Sequence, residues 1–580
     1  MKEHLRTLWP YLWRYRRGLL VGLAALVLKD LAAAVQPWLI GRGVDAITAG
    51  FRWELVLGFA GALIGLSAVK GVFQYFMRVI IIGISRDIEY DLRNDLFASL
   101  VRLSPDYYRR MRTGDLMARA TNDLNAVRMM LGPGIMYWTE TSLTTLFVIS
   151  VMLWVDWPLT LAALLPAPLV SLSVSYFGRR IHRRFEHIQK IFSDITSRVQ
   201  ENIAGVRVIR AYVQEESELR RFELLNRSYI KENLRLARLS GLFTPLLQTL
   251  VGVMLLIVLW VGGARLLEGR ISLGHFVMFN TYMAMLVWPM IAFGWVVNLM
   301  QRGTASLARI NEILQEQPTI AAPAVPRRVP TPLRGEIRFD SVTVRYDGRV
   351  ALEGVTLTIP AGATVAVVGH TGSGKSTLVQ LIPRLLDPTA GAVLVDGVDV
   401  REFSPQELRR QIGFVPQETF LFSATLAENI AFGAPDASEA DIRRAAEIAG
   451  LGPDVAGFPD GYRTLVGERG ITLSGGQKQR TALARAILRN PRILILDDAL
   501  SSVDTETEAR ILERLVHLMR ERTTILISHR VSTVRHADRI FVIENGRLAE
   551  QGTHAELLAL GGYYADLYQR QLLEEELEAI

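Results

Sequence analysis

Nine consecutive residues, Gly369-His370-Thr371-Gly372-Ser373-Gly374-Lys375-Ser376-Thr377, have the chemistry of a phosphate cradle. The glycines let backbone N–H groups converge on an anion. The pattern lies between a strand-like run, residues 364–368, and an apolar helical run, residues 378–386. An anion bound there meets the positive end of a helix dipole. Lys375 is placed to reach the β- and γ-phosphates of a nucleoside triphosphate, and the Ser376 hydroxyl to ligate Mg²⁺. A second apolar run, residues 493–496, ends in Asp497-Asp498. An acid at the carboxyl end of a buried strand beside such a loop holds Mg²⁺ through water. Asp498, one residue on, faces the γ-phosphate side, where an attacking water must be oriented.

The elements that must position these groups occupy only the second half of the chain. Of 580 residues, 50% are hydrophobic and 21% charged, and none is Cys. That excludes a disulfide scaffold, a Cys-ligated zinc or iron–sulfur centre and a thiol nucleophile. A mean hydropathy of +0.22 averages two unlike halves. The first contains six apolar segments, residues 18–47, 55–84, 134–155, 159–177, 242–267 and 273–300. Each approaches or exceeds the roughly 20 residues a membrane-spanning helix needs. The net charge of +7 is carried mainly by Arg crowded at the ends of these segments, which fits the positive-inside rule better than nucleic-acid binding. The connections between segments two and three and between four and five hold most of it, so both termini are expected in the cytoplasm. The first 18 residues read as an amphipathic interfacial helix.

The two long connections show helical periodicity over residues 85–103 and 179–239 and should extend the membrane helices outward. Breaks near 104–115 and 204–216 would be the tips of two hairpins. Lys29, Asp30, Lys70 and Glu140 fall within spans and are costly against lipid, so they face a cavity or a partner, with structural pairing or snorkelling to an interface the alternative for Lys70 and Glu140. Lys29 and Asp30 are adjacent and are not expected to share a helix face. Residues 316–333 are rich in proline (Pro318, Pro323, Pro326, Pro330, Pro332) and read as a linker between a membrane domain, 1–315, and a nucleotide-binding domain, 334–580.

Leu473-Ser474-Gly475-Gly476-Gln477 resembles the signature sequence of ATP-binding-cassette (ABC) proteins, which general P-loop ATPases lack. Other cassette elements follow in family order. Tyr346 resembles the aromatic that stacks on adenine. Gln417 in Val415-Pro416-Gln417 resembles the glutamine linking Mg²⁺ to the membrane domain. Gly467-Glu468-Arg469-Gly470 resembles the loop before the signature in exporters, Ser501-Ser502-Val503-Asp504 the D-loop, and His529 the switch histidine. Thr113-Gly114-Asp115 with Thr121-Asn122-Asp123, and residues 205–215, resemble the two intracellular loops of exporter half-transporters.

The resemblance covers nearly the whole chain. It implies an α-helical polytopic membrane domain of six transmembrane helices, exporter type, fused to an α/β P-loop NTPase domain of the ABC class. It implies ATP and Mg²⁺, the metal held by Ser376, Gln417 and, through water, Asp497. Asp498, His529 and Gln417 would be catalytic. Ser474, Gly475, Gly476, Gln477 and the D-loop Asp504 would meet ATP held by a second half-transporter, so one chain completes no site. The setting implied is the bacterial cytoplasmic membrane, with a drug, lipid or peptide substrate and no nucleic acid. Closing cassettes would drive alternating access, with tips 104–112 and 206–212 expected near Gln417 and the 467–470 loop.

One departure bears on rate. Catalytically complete members carry Glu where this chain has Asp498. Asp is one methylene shorter, and losing a general base typically costs about 10²–10⁴ in rate. The chain thus resembles the Asp-bearing subunit of bacterial heterodimeric multidrug exporters, its own site slow and its signature serving a partner. A fully active homodimer is the alternative, and an ATP-gated channel or regulator a more distant one.

Overall fold

The computed structural model describes residues 6–346, 348–467 and 473–578, so Glu468, Arg469 and Gly470 of the loop before the signature lie outside the described residues. The chain forms two compact units: residues up to Val101 with Arg112–Glu316, and Arg102–Met111 with the residues from Gln317 onward.

The first unit contains six helices long and apolar enough to cross a membrane: Arg16–Ala49, Trp53–Arg102, Thr113–Val155, Trp157–Ala204, Glu215–Leu267 and Leu273–Gln315. Each contains one of the apolar segments read from the sequence. The second helix, at 50 residues, is about 75 Å long, against a hydrocarbon core of about 30 Å. The surplus is the helical extension expected from periodicity. The breaks also fall where expected. Pro105 begins a short helix, Pro105–Arg110, and its ring and missing N–H prevent it from continuing the preceding one. The other break holds Val206–Ala211, ending near Val213 in the left-handed region at φ 52°.

The extensions are pinned by polar contacts. Asp123 accepts from Ser306 Oγ at 2.8 Å and pairs with Arg309, while Arg119 donates to the Arg309 carbonyl and to Glu312, both at 2.9 Å. The Thr121-Asn122-Asp123 segment therefore joins the third helix to the sixth. The short helix Trp9–Arg14 lies along the second helix, with Tyr11 donating to Asp95 at 2.5 Å and Tyr15 to Asp91 at 3.1 Å. Trp9 and Trp13 stack on each other and remain exposed, the arrangement an interfacial helix needs.

Within the spans, one expectation is corrected. Lys29 and Asp30 do meet: the long lysine stem carries Nζ to 2.8 Å from Asp30 Oδ1 and 2.6 Å from Glu140 Oε1. Lys70 donates to the Gln36 amide oxygen at 3.3 Å, and among the described residues it pairs with no acid.

The second unit has two sheets. Strands β1 (Ile337–Tyr346), β2 (Arg349–Ile359), β4 (Ala390–Val395) and β5 (Val398–Asp399) form an antiparallel sheet ordered β2-β1-β4-β5. The other is ordered β10-β9-β3-β8-β7-β6, from β3 (Thr364–Val368), β6 (Ile412–Val415), β7 (Ile493–Asp497), β8 (Thr523–Ile527), β9 (Arg539–Glu544) and β10 (Arg547–Gly552). Its β9, β3, β8, β7 and β6 run parallel. β7 and β8 are buried at every residue, as strands covered on both faces must be. One apolar core lies between the sheets around Phe339, Val365, Leu378 and Phe541. A second packs Leu483, Leu496 and Leu515 under the helices that follow β6 and β7.

In the membrane unit, the first and sixth spans approach closely at Gly41 and Gly274. A Cβ on Gly274 would lie 2.0 Å from the Gly41 carbonyl oxygen and 2.5 Å from the Asp45 carboxylate. Asp45 accepts from Ser272 Oγ at 2.6 Å and from the Gly274 N–H at 2.7 Å, so it caps the sixth span while the small residues let the backbones touch. Gly274→Ala should therefore lower stability by about 1–3 kcal/mol through overpacking. Gly58→Ala, where a Cβ meets nothing within 4 Å, should not. Thermal unfolding of the detergent-solubilised protein distinguishes the two, and equal midpoints would refute the close packing.

Candidate active site

Strand register assembles the site. Ile527 of β8 is level with Val367 of β3 on one side and with Asp497 of β7 on the other, and Leu496 is level with Val415 of β6. Gly369, the pair Asp497-Asp498, Ser528-His529 and Pro416-Gln417 thus leave the sheet along its carboxyl edge, where parallel α/β folds bind ligands.

The loop after β3 requires glycine at two positions. Gly369 has φ 152° and a Cβ there would lie 2.1 Å from the Ile543 carbonyl oxygen; Gly374 has φ 103° and its Cβ would lie 2.6 Å from that of Ala351. Gly374 caps the helix Lys375–Leu381. Lys375 is buried, its ammonium donating to the carbonyls of Gly369 and His370 at 2.8 and 2.7 Å. Burial lowers its pKa, opposed by the nearby Asp497 and Asp498. The Ser373 hydroxyl is buried with no hydrogen-bond partner among the described residues, while Thr371 and Gly372 are exposed at the loop's crest.

Ser376 Oγ donates to Asp497 Oδ1 at 3.1 Å. Burial raises the Asp497 pKa, and Asp498 adds to the shift, opposed by the Ser376 hydrogen bond and Lys375. A hydroxyl and a desolvated carboxylate oxygen this close fit a hard divalent cation such as Mg²⁺, which would relieve that desolvation. Gln417 is exposed just past β6. Asp498 and His529 line one cavity of about 210 Å³ together with Ser501 and Ser528. The Asp498 backbone is left-handed at φ 51°; its N–H donates to Ile527 O at 2.9 Å, and its carbonyl accepts from Ser501 Oγ at 3.1 Å.

The signature residues form a separate group. Ser474 caps the helix Gly475–Leu488 in a reciprocal pair: its Oγ accepts from Gln477 N at 3.2 Å, and Gln477 Oε1 accepts from Ser474 N at 2.9 Å. Ser474 and Gly475 are exposed, and among the described residues no hydrogen bond joins the signature to residues 369–377. Gly476 packs on the D-loop, where a Cβ would lie 2.9 Å from the Ser502 carbonyl oxygen. Asp504 caps the next helix by accepting from Thr507 N at 2.8 Å, which lowers its pKa.

Three contributors were not apparent from the sequence. Buried Gln479 donates to Ser501 Oγ and accepts from Ser502 N, both at 2.9 Å, tying D-loop to signature helix. Gln571, on the last helix, accepts from Val531 N at 2.7 Å and donates to the His529 carbonyl, gripping the switch loop on both sides. Arg109, on the first hairpin tip, lies 4.3 Å above the centre of the Tyr346 ring and pairs with Asp106 at 2.7 Å. Tyr346 Oη in turn donates to Thr377 Oγ1 at 3.4 Å. The first tip therefore sits on Tyr346. Local patterns showed where the helix breaks, whereas what the tip touches is set by a pairing across more than two hundred residues.

Comparison with known proteins agrees with this assembly. The family described as "ABC transporter transmembrane region" matches residues 19–290, and that described as "ABC transporter" matches residues 352–501. A Bacillus subtilis protein described as "Probable multidrug resistance ABC transporter ATP-binding/permease protein YheI" is 39% identical, with 95% of each chain covered. An "ATP-dependent lipid A-core flippase" of Syntrophus aciditrophicus is 35% identical, covering 96% of this chain and 92% of its own. A solved bacterial Atm1-family ABC exporter with ATP bound superposes with a TM-score of 0.80 at 30% identity, over 96% of this chain and 98% of its own. Six apolar helices, a phosphate loop backed by paired acids, and a signature set apart from that loop all belong to one architecture: the chain is a multi-pass membrane protein of the ABC transporter family, a half-transporter of the exporter type that binds ATP.

Proposed function

We propose that the chain is one half of an ATP-driven exporter of hydrophobic or amphipathic compounds, and that its own ATP site is the slow one of a heterodimer. The observation that carries the slow site is the fixed backbone at Asp498. Its N–H and carbonyl are both held, to Ile527 and Ser501, so the strand end has little freedom to advance and replace the missing methylene. The relatives described as a multidrug resistance transporter and a lipid A-core flippase support an amphipathic substrate.

ATP would lie along the crest of residues 369–377, its base against Tyr346 and its phosphates against Lys375, Ser376 and Thr377. Mg²⁺, when bound, supplies charge neutralisation at the phosphate oxygens, and Ser376, Gln417 and Asp497 are the residues placed to hold it. Asp498 would accept a hydrogen bond from the attacking water, and His529 would donate toward the γ-phosphate. Ser474, Gly475, Gly476 and Gln477 would meet the γ-phosphate of a partner's ATP at a helix N-terminus. Nucleotide then holds two cassettes together until the third phosphate leaves. The second tip exposes Val208, Tyr212 and Val213, an apolar surface suited to the partner's cassette. Both termini lie in the cytoplasm, with the spans in the cytoplasmic membrane.

Two measurements test this reading. In the reconstituted transporter, Asp498→Glu should raise turnover at this chain's site by about 10²-fold or more, the inverse of losing a general base. Vigorous substrate-stimulated hydrolysis by the unmodified chain alone, unchanged by the substitution, would defeat the slow-site assignment. Arg109→Ala should raise KM for ATP by about 3–10-fold, the scale of a cation–π contact on the base platform. It should leave the affinity for ribose 5-triphosphate, which lacks the base, unaltered; an equal loss for both ligands would show that Arg109 merely supports the fold.

A further inference from the structure

The membrane unit buries an ionic cluster that nothing in the ATP chemistry uses. Lys29 and Asp30 on the first span have side chains only 5% and 1% exposed, whereas Glu140 on the third span is 25% exposed. One ammonium serves two carboxylates: Lys29 Nζ lies 2.8 Å from Asp30 Oδ1 and 2.6 Å from Glu140 Oε1. Thr144 Oγ1 adds a donor to the same Asp30 oxygen at 3.4 Å. The other, Asp30 Oδ2, is buried with no hydrogen-bond partner among the described residues. Among the described residues no second cation pairs with either acid.

Ionised, the cluster carries one negative charge in excess, and a desolvated carboxylate lacking its own counter-ion is unfavourable. The imbalance has an open side. Glu140 is the accessible member, and one helical turn before it Tyr137 packs edge-on against Trp295, with ring centres 5.3 Å apart. An aromatic pair within one helical turn of a carboxylate favours a large, weakly hydrated cation over a small, strongly hydrated one.

We propose that Glu140 is the counter-ion for a lipophilic organic cation, with Lys29 and Asp30 as its positioning pair. When such a cation reaches Glu140, Lys29 withdraws wholly onto Asp30, whose free Oδ2 accepts the hydrogen bond released. Two cations then face two anions and no buried acceptor is left unmet. The cluster thus exchanges a shared internal counter-ion for an external one. The proposal rests on the export reading and narrows its substrate to positively charged amphipaths.

Tetraphenylphosphonium, whose charge is fixed at every pH, and triphenylphosphine oxide, a neutral molecule of related shape, are the probes. Binding is measured by equilibrium dialysis on the assembled transporter without nucleotide, and ATP-driven uptake of both probes into inverted vesicles is followed separately. The expected result is saturable binding of tetraphenylphosphonium, weakened about tenfold or more by Glu140→Gln. Glu140→Asp, which keeps the charge, should retain most of the affinity, and the neutral probe should be indifferent to both substitutions. Absence of saturable tetraphenylphosphonium binding to the unmodified protein would overturn the site. So would an equal loss for both probes in Glu140→Gln, because the cluster would then be a structural pin between spans. Tetraphenylphosphonium binding that follows the charge at position 140, with neither probe taken up on ATP addition, would uphold the site and remove the export reading. ATP-driven uptake of the neutral probe without cation binding would do the reverse.

Discussion

The register of the parallel strands is the constraint on which the cassette's chemistry depends. Ile527 is level with both Val367 and Asp497, so the loops leaving β3, β7 and β8 begin within about two strand spacings, roughly 10 Å. The side-chain alternation of a strand has period two, and a slip of β7 by one residue would put Leu496 where Asp497 now faces Ser376. Burial at every residue of β7 and β8 makes such a slip costly. Apolar packing and the geometry of the Ser376–Asp497 pair are thereby enforced by the same contacts.

The Lys375 ammonium and the Ser474 side chain each have hydrogen-bond partners within their own segment. Lys375 spends its ammonium on the carbonyls of its own loop, so arriving phosphates compete with neutral acceptors and not with a buried carboxylate. The Ser474 oxygen accepts from Gln477 N to cap its helix, but a hydroxyl also has a proton to donate. Capping the signature helix and binding a phosphate oxygen are therefore compatible, and the exposed position of Ser474 leaves that donor available to a partner. Gln479 extends the arrangement by fixing the D-loop to the same helix. A displacement of one is transmitted to the other through two hydrogen bonds.

How much of this was legible follows from the range of each interaction. The phosphate loop, the paired acids, the spans and the hairpin breaks are local patterns, set by glycine, proline and the period of apolar residues, and the sequence reading located them. Gln479 and Gln571 carry no motif, since a glutamine's role is decided by which backbone groups lie opposite it. Arg109 resembles its neighbours Arg110 and Arg112 until Tyr346 is brought beneath it. Lys29 and Asp30 were misjudged for a different reason. Helical spacing describes where Cβ atoms point, whereas a lysine has three further methylenes with which to turn back along the helix and reach its neighbour.

The position of Arg109 changes how nucleotide is reported within the proposed reading. Residues 102–111 belong with the cassette yet are the tip of the hairpin joining the second and third spans. In that reading adenine would rest on Tyr346 beneath this chain's own hairpin, while the γ-phosphate end would be left to a signature on another chain. Hydrolysis removes the terminal phosphate and leaves the base in place. The contact through Tyr346 is the same for ATP and ADP, and the contact through the signature is not. Opening after hydrolysis should therefore begin at the seam between cassettes, with the first hairpin still engaged.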